Sequence, residues 1–244
     1  MRARRWREAL ALSATMAVPS ASANEDLRYL ALGDSYTIGE GVAPEGRWTH
    51  QLAAALRADG IPLADPTTIA RTGWTTDELD AAIDAADPAA DYDFVSLAIG
   101  VNNQYRGRDV TEYRREFESL LRRATGFAGD RPGRVLVLSI PDWGATVFGR
   151  DSGRDRDQVA REIDAFNAAA RSVCERHGVA FVDITPESRT SESRIPASRG
   201  GAMAPAMLAD DGLHPSAAMY ARWTALARPI VARLLADATR DAGT

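Results

Sequence analysis

Cysteine is almost missing from this chain: Cys174 stands alone among 244 residues, and histidine occurs three times. A single thiol closes no internal disulfide, and with so few imidazoles no ordinary zinc site can be assembled. The H-E-x-x-H pattern of metal-dependent hydrolases is absent as well. No metal and no cofactor is therefore expected.

Excess basic charge is also lacking. Lys and Arg total 29 against 34 Asp and Glu, a formal net charge of −5. A chain that grips nucleic acid needs a basic stripe for the phosphates, so nucleic acid is not an expected partner. Beyond residue 23 no apolar run approaches the roughly 18 residues that span a bilayer, which argues against stable membrane insertion. Gly39, Gly41 and Gly46 do not have the spacing of a dinucleotide or phosphate loop, so a non-catalytic nucleotide-binding module fits poorly.

What is present begins with a distinct start. Arg2, Arg4, Arg5 and Arg7 precede an apolar stretch over residues 9–18, and Ala21-Ser22-Ala23 supplies small residues of A-x-A type. Residues 1–23 read as a secretory signal, with export to the periplasm or the medium as the consequence. Residues 24–244 have the length for a single domain with one sizeable core.

Short apolar runs then alternate with helical patterns. Residues 29–32, 67–70, 94–99, 135–140 and 179–184 read as strands, and most are continuously apolar, as parallel strands covered on both faces must be. Helices are expected over 48–58, over 75–86 with Thr75 and Glu78 as a capping box, around Tyr113, Phe117, Leu120 and Ala124, and along Val159, Ile163, Phe166, Ala170 and Val173 to His177-Gly178. A last helix follows His214-Pro215-Ser216. The pattern predicts an α/β fold, a three-layer α/β/α sandwich with about five parallel strands. Segments 141–157 and 186–212, rich in Gly, Pro, Ser and charge, leave the carboxyl ends of strands and read as rim or lid loops.

The chemistry starts at "YLALGDSY", where Ser35 follows the first strand. A serine needs a base, and the base needs an orienting group. His50 and His177 fall within or at the end of helices and read as structural. His214 lies in "DDGLHPS", with Asp211 three residues upstream, a spacing that lets a carboxylate fold back onto Nδ1 and leave Nε2 for the serine. An Asp-capped turn is the plainer reading of the same residues. A developing oxyanion needs fixed donors. Gly73, after the second strand, can bring a backbone N–H close to a ligand, and Asn102, after the third, can donate through its amide. Taken singly, these are also what ordinary turns use.

Gly33-Asp34-Ser35, Gly73, Gly100-Val101-Asn102 and Asp211-Gly212-Leu213-His214 together resemble, in order and placement, the four sequence blocks of the SGNH (GDSL) hydrolases. The resemblance runs from residue 29 to about residue 227, nearly all of the chain that follows the expected signal. It implies a flavodoxin-like sandwich, a serine esterase with a Ser35-His214-Asp211 triad passing through an acyl-enzyme, and an oxyanion hole made by the Ser35 N–H, the Gly73 N–H and the Asn102 side chain. The D-x-x-H spacing selects Asp211 over Asp210. One departure stands out: Asn103 occupies a place where that family usually has Asp.

The substrate is expected to be a small-molecule, lipid or glycan ester. A thioester, a lysophospholipid and an acetylated sugar all present the same carbonyl and fit these residues equally. Trp74, Tyr105 and Trp143, with Phe148, are candidates to line the substrate site. Arg106 is a candidate to touch a polar or anionic leaving group. Nothing in the pattern speaks to oligomeric state.

Overall fold

Five strands, β1 (Tyr29–Asp34), β2 (Thr67–Arg71), β3 (Phe94–Ala98), β4 (Val135–Leu138) and β5 (Ala180–Val182), form one parallel sheet in the computed structural model, which describes residues 26–189 and 205–241. Their order is β2-β1-β3-β4-β5. Every residue of β1, β3 and β4 is buried, because helices cover both faces, whereas the edge strands β2 and β5 keep exposed or half-buried positions. This is why the outer strands carry the weaker apolar signal in the sequence.

The chain steps from β1 outward to β2, then returns past β1 to β3 and continues the other way. Right-handed crossovers therefore place α2 (Trp48–Ala58) on one face and α3 (Thr76–Ala86), α5 (Val110–Phe127) and α7 (Arg156–His177) on the other. Contacts agree: α2 packs on α9 (Ala217–Asp241), while α5 packs on both α3 and α7. Tyr113, Phe117, Leu120, Leu121 and Ala124 form the buried stripe of α5. Val159, Ile163, Phe166, Ala170 and Val173 form that of α7, which Asp155 opens through hydrogen bonds from the Asp157 and Gln158 N–H groups. The Thr75–Glu78 capping box starts α3.

The reversal between β1 and β3 opens a crevice at their carboxyl ends. Register sets what enters it. Gly33 pairs with Ala98 on one side and Ala70 on the other, so β1, β2 and β3 end level and release their loops at one edge. Two short helices, α1 (Ser35–Ile38) and α4 (Val101–Tyr105), begin there directly.

Several apolar runs outlast their strands. The ladder stops at Leu138 and Val182, although Ile140 and Ile184 are buried too. There the backbone turns to side-chain partners: the Ile140 N–H donates to Asn167 Oδ1 (2.7 Å) and the Ile184 N–H to Ser139 Oγ (2.8 Å). Segment 141–157 is also more ordered than its composition suggests. It forms a 3-10 turn (Trp143–Ala145) and α6 (Val147–Asp151), whose cap Thr146 accepts from the Gly149 N–H at 3.0 Å. In segment 186–212, α8 (Thr185–Arg189) and a turn at Pro205–Met207 flank residues 190–204, which lie outside the described residues, as does the expected signal over 1–23.

Among the described residues no helix is long and apolar enough to cross a membrane, and no group of His, Cys, Asp and Glu could hold a metal ion. Cys174 is buried in α7, where burial pushes its thiol up to about 12.

Candidate active site

β1 delivers Ser35 to the crevice through a strand end at which only glycine has room. A Cβ on Gly33 would stand 2.1 Å from Thr37 Oγ1 and 2.4 Å from the Ala98 carbonyl oxygen. Asp34 then caps α1, accepting from the Tyr36 N–H at 3.0 Å. Ser35 is the first residue of the helix and is 4% exposed. Burial pushes the Asp34 carboxyl up to about 7, against the lowering effect of the Tyr36 N–H.

The loop before α9 supplies the imidazole and its carboxylate on one turn. Asp211 Oδ1 accepts from the Leu213 and His214 N–H groups, each at 2.9 Å, and Oδ2 meets His214 Nδ1 at 2.5 Å. Partial burial raises the Asp211 carboxyl, but the His214 ring and those two N–H groups outweigh it and hold it below the usual carboxylate range. The turn is anchored on both sides: the Ala209 N–H donates to the His214 carbonyl (2.7 Å), and the Phe148 N–H of α6 donates to the Gly212 carbonyl (3.0 Å).

Tyr36 connects the two halves. Its ring lies 5.6 Å from the His214 ring and 6.0 Å from Trp223 of α9, centroid to centroid. The residue after the serine thus packs on the imidazole. Among the described residues neither the Ser35 hydroxyl nor His214 Nε2 makes a hydrogen bond, so serine and imidazole stand near each other without being bonded. Serine–histidine hydrogen bonds of catalytic sites are often long or unformed before substrate binds.

Gly73 and Asn102 meet at the same edge. Gly73 has φ +86°, which a side chain would resist. α4 then grips the loop carrying it at three points. Arg106, at the end of α4, donates to the Gly73 carbonyl at 2.6 Å, and Asn102 Nδ2 donates to the Trp74 carbonyl at 2.9 Å. Asn103 Oδ1 accepts from the Thr76 N–H at 3.1 Å. An amide nitrogen carries two hydrogens, so Asn102 keeps one donor to spare.

The departure at Asn103 has a local reason. Its Nδ2 donates to Thr76 Oγ1 at 2.6 Å, which frees that hydroxyl to donate in turn to Glu116 of α5. A carboxylate at 103 would compete with Glu116 for the one hydroxyl proton.

The candidate substrate residues divide. Trp74 is half-buried, and Tyr105 and Phe148 are exposed by 39% and 37%. Trp143 is buried, donating from Nε1 to Gln104 at 2.7 Å, with its ring 5.2 Å from Tyr105 and 6.1 Å from Phe148. It backs the two exposed rings. Arg106 is tied back to the β2–α3 loop while its side chain stays partly exposed: besides Gly73, its guanidinium binds Glu78 of the α3 cap at 3.2 Å. His50 pairs with Thr49 inside α2, and His177 with Glu118 of α5, so neither belongs to this edge.

The sequence does not announce the Arg106–Gly73 contact or the stacking of Arg154 over Tyr105, 4.5 Å from guanidinium carbon to ring centroid. Both join residues far apart in the chain, and neither sits in a periodic pattern that would mark it.

The family model of the GDSL-like lipase/acylhydrolase family matches residues 31–222. No curated protein matches by sequence. Among solved structures, TesA superposes with a TM-score of 0.62 at 19% identity, over 85% of this chain and 99% of that one. A lipase/acylhydrolase from Enterococcus faecalis gives 0.61 at 20% identity, over 84% and 96%. A mutant of an acetyl-xylooligosaccharide esterase from Geobacillus Stearmophilus gives 0.57 at 20%, over 86% and 94%. At these identities the likeness speaks to the fold.

Proposed function

Given that this chain belongs to the GDSL-like lipase/acylhydrolase family and is an ester-hydrolysing enzyme, we propose that it is a serine esterase whose nucleophile is Ser35, whose general base is His214 and whose orienting acid is Asp211. The observation that carries this reading is the Asp211–His214 pair, closed at 2.5 Å on a turn whose imidazole packs against Tyr36, next in the chain to the serine.

In the reaction His214 Nε2 takes the Ser35 proton as Oγ attacks the ester carbonyl. Asp211 accepts from Nδ1–H, fixing the tautomer and stabilising the imidazolium. The Ser35 N–H, the Gly73 N–H and the free Asn102 donor receive the charge that develops on the carbonyl oxygen. The bond to the alcohol oxygen breaks, and that oxygen leaves with the proton held by His214. Water, deprotonated by the same imidazole, then attacks the acyl-enzyme and releases the carboxylic acid and the free serine. The chain's groups thereby supply a base, an acid and an oxyanion site.

Labelling with a fluorophosphonate tests the reading. Covalent modification at Ser35 that is lost in Ser35→Ala supports it; an unlabelled wild-type protein, or a Ser35→Ala variant that keeps most of the esterase rate, overturns it. Residues 1–23 are read with it as a cleaved export signal ahead of one catalytic domain over 24–244, for which the mass of the mature chain from an exporting host is the test.

A further inference from the structure

Tyr105 and Phe148, two of three large apolar side chains exposed among the described residues, stand together, 6.4 Å between ring centroids. Their position relative to the site is set by backbone. Tyr105 ends the helix that begins at Val101 and carries Asn102. Phe148 is hydrogen-bonded through its N–H to Gly212, inside the turn that carries Asp211 and His214. One ring thus extends from the oxyanion side and the other from the base side, and Trp143 beneath them is fixed by its bond to Gln104. Large apolar rings left in water are informative when they cluster at a site.

The surface continues past Tyr105 as a groove of about 580 Å³. Arg154 stacks over Tyr105, and among the described residues its guanidinium has no carboxylate partner. Also lining the groove, Gln158 donates to Glu162 at 2.8 Å, and Gln104 donates to the other Glu162 oxygen at 2.7 Å. The acceptors and donors along this wall are therefore already aligned.

This chemistry separates the esters that share the carbonyl. A hydrocarbon chain calls for an unbroken apolar lining, which this groove lacks. A phosphate-bearing alcohol or thiol calls for a surplus of cations, but Arg106 and Arg154 are offset by Asp155 and Glu162. The exposed parts of Tyr105 and Phe148, beside fixed amide, carboxylate and guanidinium groups, suit a polyol, whose C–H faces pack on the rings while its hydroxyls bond at the rim.

We propose that the Tyr105–Phe148 ledge and the groove leading from it past Arg154 to Gln158 and Glu162 form a subsite for a carbohydrate, so that the ester cleaved is an acyl group carried on a sugar hydroxyl. This rests on the esterase reading above. The bond between acyl carbon and sugar oxygen breaks, the sugar leaves as the free alcohol with the proton from His214, and water supplies the oxygen of the released acid.

The test compares kcat/KM of the full chain on a panel of acetylated oligosaccharides built on xylose, glucose and N-acetylglucosamine with that on p-nitrophenyl acetate and palmitoyl lysophosphatidylcholine. At least one acetylated saccharide should be the best substrate. In Tyr105→Ala and Phe148→Ala the ratio of its kcat/KM to that of p-nitrophenyl acetate should fall about tenfold, mainly through KM. Tyr105→Trp should restore most of the ratio, which a purely structural role would not predict. The proposal is overturned by a preference for the lysophospholipid, by saccharides that are all poorer than p-nitrophenyl acetate, or by variants in which the ratio holds while both rates fall together. Activity on the simple ester with any of these results leaves the serine-esterase reading standing; a wild-type protein inert to every ester removes both.

Discussion

The Arg106 guanidinium and the Gly73 carbonyl are 2.6 Å apart, although one residue ends a helix that follows β3 and the other lies in the loop that follows β2. A carbonyl held from one side fixes the plane of the Gly73–Trp74 peptide, which adjoins the peptide bearing the Gly73 N–H, and the loop also has its Trp74 carbonyl and Thr76 N–H held by Asn102 and Asn103. The orientation of the Gly73 loop is thus set by α4, not by the turn alone.

Loss of this hold should appear in the chemical step. Arg106→Met is expected to lower kcat by about tenfold or more with little change in KM, short of the roughly 10²–10³ of deleting an oxyanion donor outright. Arg106→Lys, which keeps the charge but not the fork that spans Gly73 and Glu78, should recover part of the rate. Steady-state kinetics on p-nitrophenyl acetate with circular dichroism of each variant decides; a change confined to KM would assign Arg106 to substrate contact instead.

Ser35→Ala and His214→Ala should each remove nearly all turnover; Ser35→Ala loses no hydrogen bond of the fold, whereas His214→Ala also loses the Nδ1–Asp211 bond and the packing on Tyr36 and should melt lower. Asp211→Asn should be milder than either, because the orienting acid of such a triad contributes less than the members it orients. It also keeps an acceptor for the Leu213 and His214 N–H groups. Active-site titration and melting curves give the comparison; an Asp211→Asn rate below that of Ser35→Ala would contradict the assigned roles.

Asp34 makes a signed prediction about pH. Its carboxyl rises on folding from an ordinary 3.8 to about 7, so the native state holds a proton that the unfolded chain has released. The stability tied to this group is complete below about 4 and is lost as pH climbs toward about 7. Asp211, held below its ordinary value, acts in the opposite sense and only at more acid pH. Urea unfolding at pH 5 and pH 8 should show the wild type weaker at the higher pH, and Asp34→Asn, which keeps a cap acceptor, should narrow that difference. Parallel behaviour of the two proteins would shift the effect to another group.

Asn103→Asp tests the buried link from α4 to α5. The new carboxylate would claim the Thr76 proton now given to Glu116, leaving two acids to share one donor. A loss of about 1–3 kcal/mol in unfolding free energy is expected, the range for an unsatisfied buried acceptor. Glu116→Gln should relieve it in the double variant. A fully stable single variant would show that the link contributes little.

The fold was legible because its central strands are apolar without interruption and its long helices carry stripes with plain caps, as at Asp155 and Thr75. Ser35, Gly73, Asn102, Asp211 and His214 stood out as candidates because each follows a strand or precedes a helix at the edge where such sheets bind ligands, and because together they match the order of the family's blocks. What could not be read depends on tertiary approach. Arg106 looks like any exposed arginine until the β2–α3 loop is folded against it. Trp143 and Phe148 are close in sequence, yet one is buried and the other open. The strand ends at Leu138 and Val182 were hidden because the apolar pattern continues after the ladder has stopped.

Asp211 and His214 ride on a single four-residue turn, bonded to each other through both backbone and side chain. The carboxylate and the imidazole therefore keep their contact as a unit, and in the proposed triad the approach of His214 to Ser35 is the one contact that lies outside this turn.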